Sequence, residues 1–133
     1  MRSVRVKHPS FPEAAENANL IPDADLRWQV LCGDRNHWRS GIYSPPESSR
    51  AEIVELERHD CPELFLLLDG RLTLVCWLGG EEREIELQPA QPVLVTAPHS
   101  GYCPDGPHTG RAFVVERDVF RTEYRTLDEW ATD

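Results

Sequence analysis

Between residues 63 and 87 short apolar runs alternate with turn residues, and this punctuation constrains the fold more than any other feature of the chain. Leu64-Phe65-Leu66-Leu67-Leu68 is followed by Asp69-Gly70, then by a run holding Leu72, Leu74, Val75, Cys76 and Trp77, then by Gly79-Gly80 and a third run at residues 82–87. Runs of this length between turn signals are strands, and Asp-Gly between two of them predicts a β-hairpin. Further short runs occupy residues 28–32, 38–43, 93–97 and 111–117, with a loop by composition at Ser44-Pro45-Pro46-Glu47-Ser48-Ser49. Residues 51–59 alternate Ile53, Glu55, Glu57 and His59 against Val54, Leu56 and Arg58, the period of a strand. Strands at such spacing close into an antiparallel sandwich or small barrel. One helical signal lies in residues 11–26, where Pro12 and neighbouring acids open a helix and Asn19 and Pro22 close it. Residues 122–130 read equally as a short helix or as a strap across a sheet.

A length of 133 residues suits a single domain. Within it, residues 1–26 form an N-terminal extension and residues 51–118 carry the barrel motifs. A net charge of −9 argues against nucleic-acid and anionic-membrane partners, which need clustered Lys and Arg. The longest apolar run, residues 64–68, is too short to cross a bilayer. The first eight residues lack the apolar stretch of a secretory signal, and Cys32, Cys61, Cys76 and Cys103 show no CxxC spacing. Reduced thiols and a cytoplasmic location are the expectation.

The chemistry concentrates in Glu57-Arg58-His59-Asp60-Cys61-Pro62-Glu63. On a strand through residues 53–59, Glu57 and His59 share one face. Pro62 then bends the chain, and Glu63 opens the next strand, so a fold joining these strand ends gathers Glu57, His59 and Glu63 at one point. A solvated polar edge is the bland alternative. Downstream, a strand leads into Ala97-Pro98-His99-Ser100, and a second Pro-His pair stands at Pro107-His108. A four-residue turn at Pro104-Asp105-Gly106-Pro107 would set Cys103 opposite His108 and put His99, Cys103 and His108 on one face. His99 is the favoured ligand, with His108 as neighbour or alternate.

His59 and Glu63, four residues apart and followed by Gly70, resemble the first motif of the cupin barrels, and the strand leading to Pro98-His99 resembles the second. The resemblance implies an all-β, cupin-type antiparallel barrel (a double-stranded β-helix, or jelly roll) preceded by a short N-terminal helical segment. Where cupins usually carry the first of two histidines, this chain has Glu57. Phe113-Val114-Val115-Glu116-Arg117 with Thr122-Glu123 is similar to the last barrel strand of 3-hydroxyanthranilate 3,4-dioxygenase. That likeness implies metal positions at Glu57, Glu63 and His99 and a substrate-deprotonating glutamate at Glu116. The family's two substrate-binding arginines fall near Ile53 and Cys103, so hydroxyanthranilate itself is not the expected substrate.

His59, Glu63 and His99 form a two-histidine, one-carboxylate set, and Glu57 would make it more anionic. Fe(II) or Mn(II) is favoured, with Zn(II) possible. Glu116 is the candidate base; its plainer role is a surface carboxylate paired with Arg117 or Arg111. Two functions stay open: a metal-dependent cupin enzyme of dioxygenase-like type acting on a small organic molecule, and a non-catalytic ligand-binding or structural cupin with a degraded metal site. A homodimer is expected by analogy, with the Trp28 and Trp38 segments supplying an apolar contact.

Overall fold

The computed structural model describes residues 1–7, 19–20, 22–23 and 25–132. The helical signal at residues 12–18 lies outside them. The described strands are β1 (Arg2–Lys7), β2 (Trp28–Asp34), β3 (Trp38–Tyr43), β4 (Glu55–His59), β5 (Glu63–Asp69), β6 (Thr73–Leu78), β7 (Glu81–Glu86), β8 (Val93–Val95), β9 (His99–Tyr102), β10 (Arg111–Arg117) and β11 (Val119–Thr126), followed by helix α1 (Leu127–Ala131). They form two antiparallel sheets. One has six strands in the order β1-β11-β4-β9-β6-β7, and the other has five in the order β2-β3-β10-β5-β8.

The apolar core lies between the sheets. Phe65 and Leu67 from β5, Leu74 and Cys76 from β6, Val95 from β8 and Val114 from β10 bury there with Leu72, Leu87, Cys103 and Ala112. Alternation along β10 shows the logic: Ala112, Val114 and Glu116 are buried while their neighbours in the strand are not. The outer face of the six-stranded sheet carries a smaller cluster of Ile53, Leu56, Val75 and Trp130.

Two sequence expectations fail in an instructive way. Asp69-Gly70 reverses the chain, but β5 and β6 belong to opposite sheets and do not pair, so the turn is a crossing and not a hairpin. Each flanking run finds other partners: β5 pairs with β10 and β8, and β6 with β7 and β9. Gly70 is needed there because its φ is +68° and an added Cβ would meet the Thr109 carbonyl oxygen at 2.0 Å. The true hairpin is at Gly79-Gly80, where both φ values are positive and Leu78 pairs with Glu81. The second failure is at residues 51–59. A 3-10 turn covers Arg50–Glu52, the strand starts only at Glu55, and Ile53 and Leu56 join the same cluster, which breaks the period of two.

Residues 122–130 split between the two forms that the sequence left open. β11 runs through Thr126, which caps α1: its hydroxyl accepts from the Glu129 backbone N–H while the Glu129 carboxylate accepts from the Thr126 N–H. The helix is short and is held by Trp130, which is buried on Leu56 and donates its indole N–H to the Leu56 carbonyl at 3.2 Å. No helix among the described residues is long and apolar enough to cross a membrane.

Candidate metal centre

Glu57 and His59 stand two residues apart on β4 and face the inter-sheet space. β9 runs antiparallel to β4 with His99 directly opposite Glu57. Glu63, the first residue of β5, approaches from the other sheet. One ligand atom from each of Glu57, His59, Glu63 and His99 lies within 4.8 Å of the others.

The contacts are specific. One Glu63 carboxylate oxygen meets His59 Nε2 and the other accepts from His99 Nε2 at 3.1 Å. Glu57 Oε1 lies 3.7 Å from His59 Nε2 and 3.9 Å from His99 Nε2. The far ring nitrogens are anchored: His99 Nδ1 donates to the Ala97 carbonyl at 2.9 Å, and His59 Nδ1 is 2.7 Å from the Thr122 hydroxyl. Such outer contacts fix ring orientation and aim both Nε2 atoms at the cavity. Phe120 packs edge-on against His59, and Phe65 against His99, with ring centres 4.7 and 5.7 Å apart.

Burial and charge oppose each other here. Burial alone would raise the Glu63 carboxyl, yet the charge of His99 and hydrogen bonds from His59 and His99 outweigh it and hold the group well below the usual carboxylate range. Burial alone would lower His99, but the Glu63 carboxylate overcomes this and pushes the imidazole up to about 9. The protein thus prefers positive charge among these four side chains. Two imidazole nitrogens and two carboxylates, mostly shielded from water, fit a divalent transition metal, whose charge would replace that proton.

Glu116 is neither at the surface nor paired with Arg117 or Arg111. It is buried on β10 and lines the same cavity, where Arg39 Nε donates to its Oε2 at 2.6 Å. Burial, reinforced by the nearby Glu63 charge, pushes its carboxyl up to about 8 against the pull of Arg39. The structure does not bring His108 to the centre. Its ring donates to the Ser44 carbonyl at 2.7 Å, and its backbone N–H donates to that of Pro45. The imagined face of His99, Cys103 and His108 fails because the chain leaves the sheet after Tyr102, so the period of two stops there. Cys103 is buried in the core.

The cavity measures about 230 Å³. Besides the residues above it is lined by Trp28, Tyr43, Val114 and Tyr124, and at its edge by Arg27, which is ion-paired with Glu47. Trp28, offered by the sequence to a dimer contact, faces this cavity. Arg39, Trp28 and Phe120 were not singled out as site residues. Arg39 had a signal: a charge in the run Trp38-Arg39-Ser40-Gly41-Ile42, on the face opposite Trp38.

No protein-family model and no curated protein matches the chain. Solved structures do. A cupin 2 domain-containing protein from Halorhodospira halophila is similar over 98% of this chain and 87% of its own, at 16% identity and a TM-score of 0.61. The Fe(II) form of HppE covers 82% of this chain and 65% of its own, at 13% identity and a TM-score of 0.55. Hydroxypropylphosphonic acid epoxidase from S. wedmorenis matches 68% of this chain at 14% identity and a TM-score of 0.52, and the match spans only half of that protein's length. At these identities the likeness concerns architecture. Two facing antiparallel sheets with inward histidines and carboxylates, superposable on cupin domains, give this chain the cupin fold.

Proposed function

We propose that the chain is a metal-dependent cupin enzyme, of non-haem dioxygenase-like type, acting on a small organic molecule. The convergence of Glu57, His59, Glu63 and His99 from both sheets, with each imidazole anchored through Nδ1, is the observation that supports it. His59, His99 and Glu63 would hold the metal, with Glu57 at the more exposed side. Bound there, Fe(II) or Mn(II) supplies a Lewis acid or redox centre with open positions for substrate. HppE, which shares the fold, has been solved in Fe(II) and Co(II) forms. The resemblance to 3-hydroxyanthranilate 3,4-dioxygenase belongs to this proposal as well.

The remaining roles fall to the chain itself. Phe65, Val114 and Phe120 keep water from the inner wall, and Glu116, beside Glu63, would take a proton from the bound molecule in its ionised form, which dominates above about pH 8. Elemental analysis of protein purified without chelator tests the reading. Near-stoichiometric transition metal, lost in His59→Ala and His99→Ala, is expected. Metal-free protein whose stability does not change on adding Fe(II), Mn(II) or Zn(II) would refute it.

A further inference from the structure

Arg39 is among the most deeply buried charged residues described, and it is not fully used. Its side chain is 3% exposed, and so is that of Glu116, its carboxylate partner. Guanidinium offers five N–H donors in a fixed fork. Glu116 engages the Nε side, while Nη1 is buried with no hydrogen-bond partner. Leaving such a donor unmatched is costly, and arginine forks match carboxylates in shape as well as charge. Arg39 itself lines the cavity.

Its placement gives the idle donor a use. The guanidinium carbon lies 4.9 Å from the Phe120 ring centre and 5.5 Å from that of Trp28, so aromatic rings hold it in place. Phe120 also touches His59, which puts Arg39 one ring away from the metal centre. Gly41 makes the arrangement possible, since a Cβ there would meet the Trp28 indole at 2.5 Å. The other arginine among the lining residues, Arg27, is already committed to Glu47 at 2.6 Å. At about 230 Å³ the space lies below the roughly 300–1,000 Å³ of drug-sized sites and suits a small molecule.

We propose that Arg39 anchors the carboxylate of a small organic acid, holding the molecule with its body against Trp28 and Phe120 and its other end at the metal centre. This deepens the metal-centre reading and rests on it for the molecule's orientation. Glu116 occupies only the Nε side of the guanidinium, at 2.6 Å. A purely structural ion pair predicts no dependence of ligand binding on the shape of the fork.

The test uses benzoate and propionate against benzamide and propionamide, followed by calorimetry and tryptophan fluorescence, with circular dichroism confirming that variants fold. The carboxylates are expected to bind about tenfold or more tighter than the matching amides. Arg39→Gln abolishes that preference, and Arg39→Lys, which keeps the charge but not the fork, retains only part of it. The lysine variant still binds, so misfolding cannot imitate its result. Equal affinity for acids and amides, a preference that survives Arg39→Gln, or no carboxylate binding by the wild-type protein overturns the proposal. Parallel titrations of chelated and Mn(II)-loaded protein separate the two readings. Carboxylate binding that needs metal and ignores Arg39 sinks this proposal and leaves the metal centre standing. Arg39-dependent binding in protein that takes up no metal does the reverse.

Discussion

Stripped of metal by a chelator, the protein should lose stability as the pH rises from about 6 to about 9, because His99 and Glu116 each hold a proton in the fold that the unfolded chain gives up; the His99 part can be worked through. Its ring is 5% exposed and sits 3.1 Å from a Glu63 oxygen. Burial opposes the charged form, but the carboxylate prevails and raises the pKa from 6.5 to about 9. Below 6.5 the folded and unfolded chains both carry the proton, and the stabilisation is fully present. Between the two values only the folded chain carries it, so stability falls with pH and the contribution is gone above about 9. A difference of this size at ~1.36 kcal/mol per unit comes to ~3 kcal/mol. The depressed Glu63 carboxyl reports the same interaction from its other side and is counted once. Urea unfolding of the chelated protein, followed by tryptophan fluorescence at intervals across this range, measures the loss directly. In thermal melts the His99 part corresponds to a Tm lower by roughly 10 °C at the alkaline end. Glu63→Gln should make the profile shallower, since it removes the partner that raises His99 and leaves the burial of Glu116 in place. Metal-loaded protein should show the opposite slope, because protons compete with metal for the imidazoles. Chelated protein whose stability is flat or rises over this interval would refute the assignment of charge to this pair.

Three further outcomes follow from particular contacts. His108→Ala should leave metal content unchanged by elemental analysis, since its ring serves the Ser44 carbonyl. Gly70→Ala should cost more than ~2 kcal/mol in urea unfolding, because a strained φ is combined with a backbone clash at Thr109, whereas Gly79→Ala, with nothing near its Cβ, should cost only ~1 kcal/mol. Trp130→Ala should destabilise by ~3–5 kcal/mol, as it removes the buried anchor of α1 and its bond to Leu56.

The sequence disclosed the strands that alternate or end in turns. β3 and β10 match their predicted bounds, and Glu57, His59, Glu63 and His99, which the strand period and the Pro-His pair mark in the sequence, converge in the fold. What stayed hidden depends on partners distant in sequence. β1 and β11 pair with each other across more than a hundred residues, and the brief alternation of Val4 and Val6 with polar neighbours gives no hint of that partner. Asp69-Gly70 carried the chemistry of a turn, but turn chemistry does not say in which sheet the next strand lies. His108 satisfied a local motif, and only the approach of the Ser44–Pro45 loop shows why its ring is engaged elsewhere. Arg39 and Glu116 are 77 positions apart, and neither residue reveals the other until β3 and β10 pair with Glu116 opposite Arg39.

One detail of the topology governs how the centre responds to its surroundings. Glu57, His59 and His99 ride on the six-stranded sheet, whereas Glu63 rides on the five-stranded one. The donor set is therefore a rivet through two plates. Any sliding or spreading of one plate against the other changes the bite between the Glu63 carboxylate and both imidazoles at once. A substitution far away in the core that alters the gap between plates therefore acts on the contacts of Glu63 with both histidines.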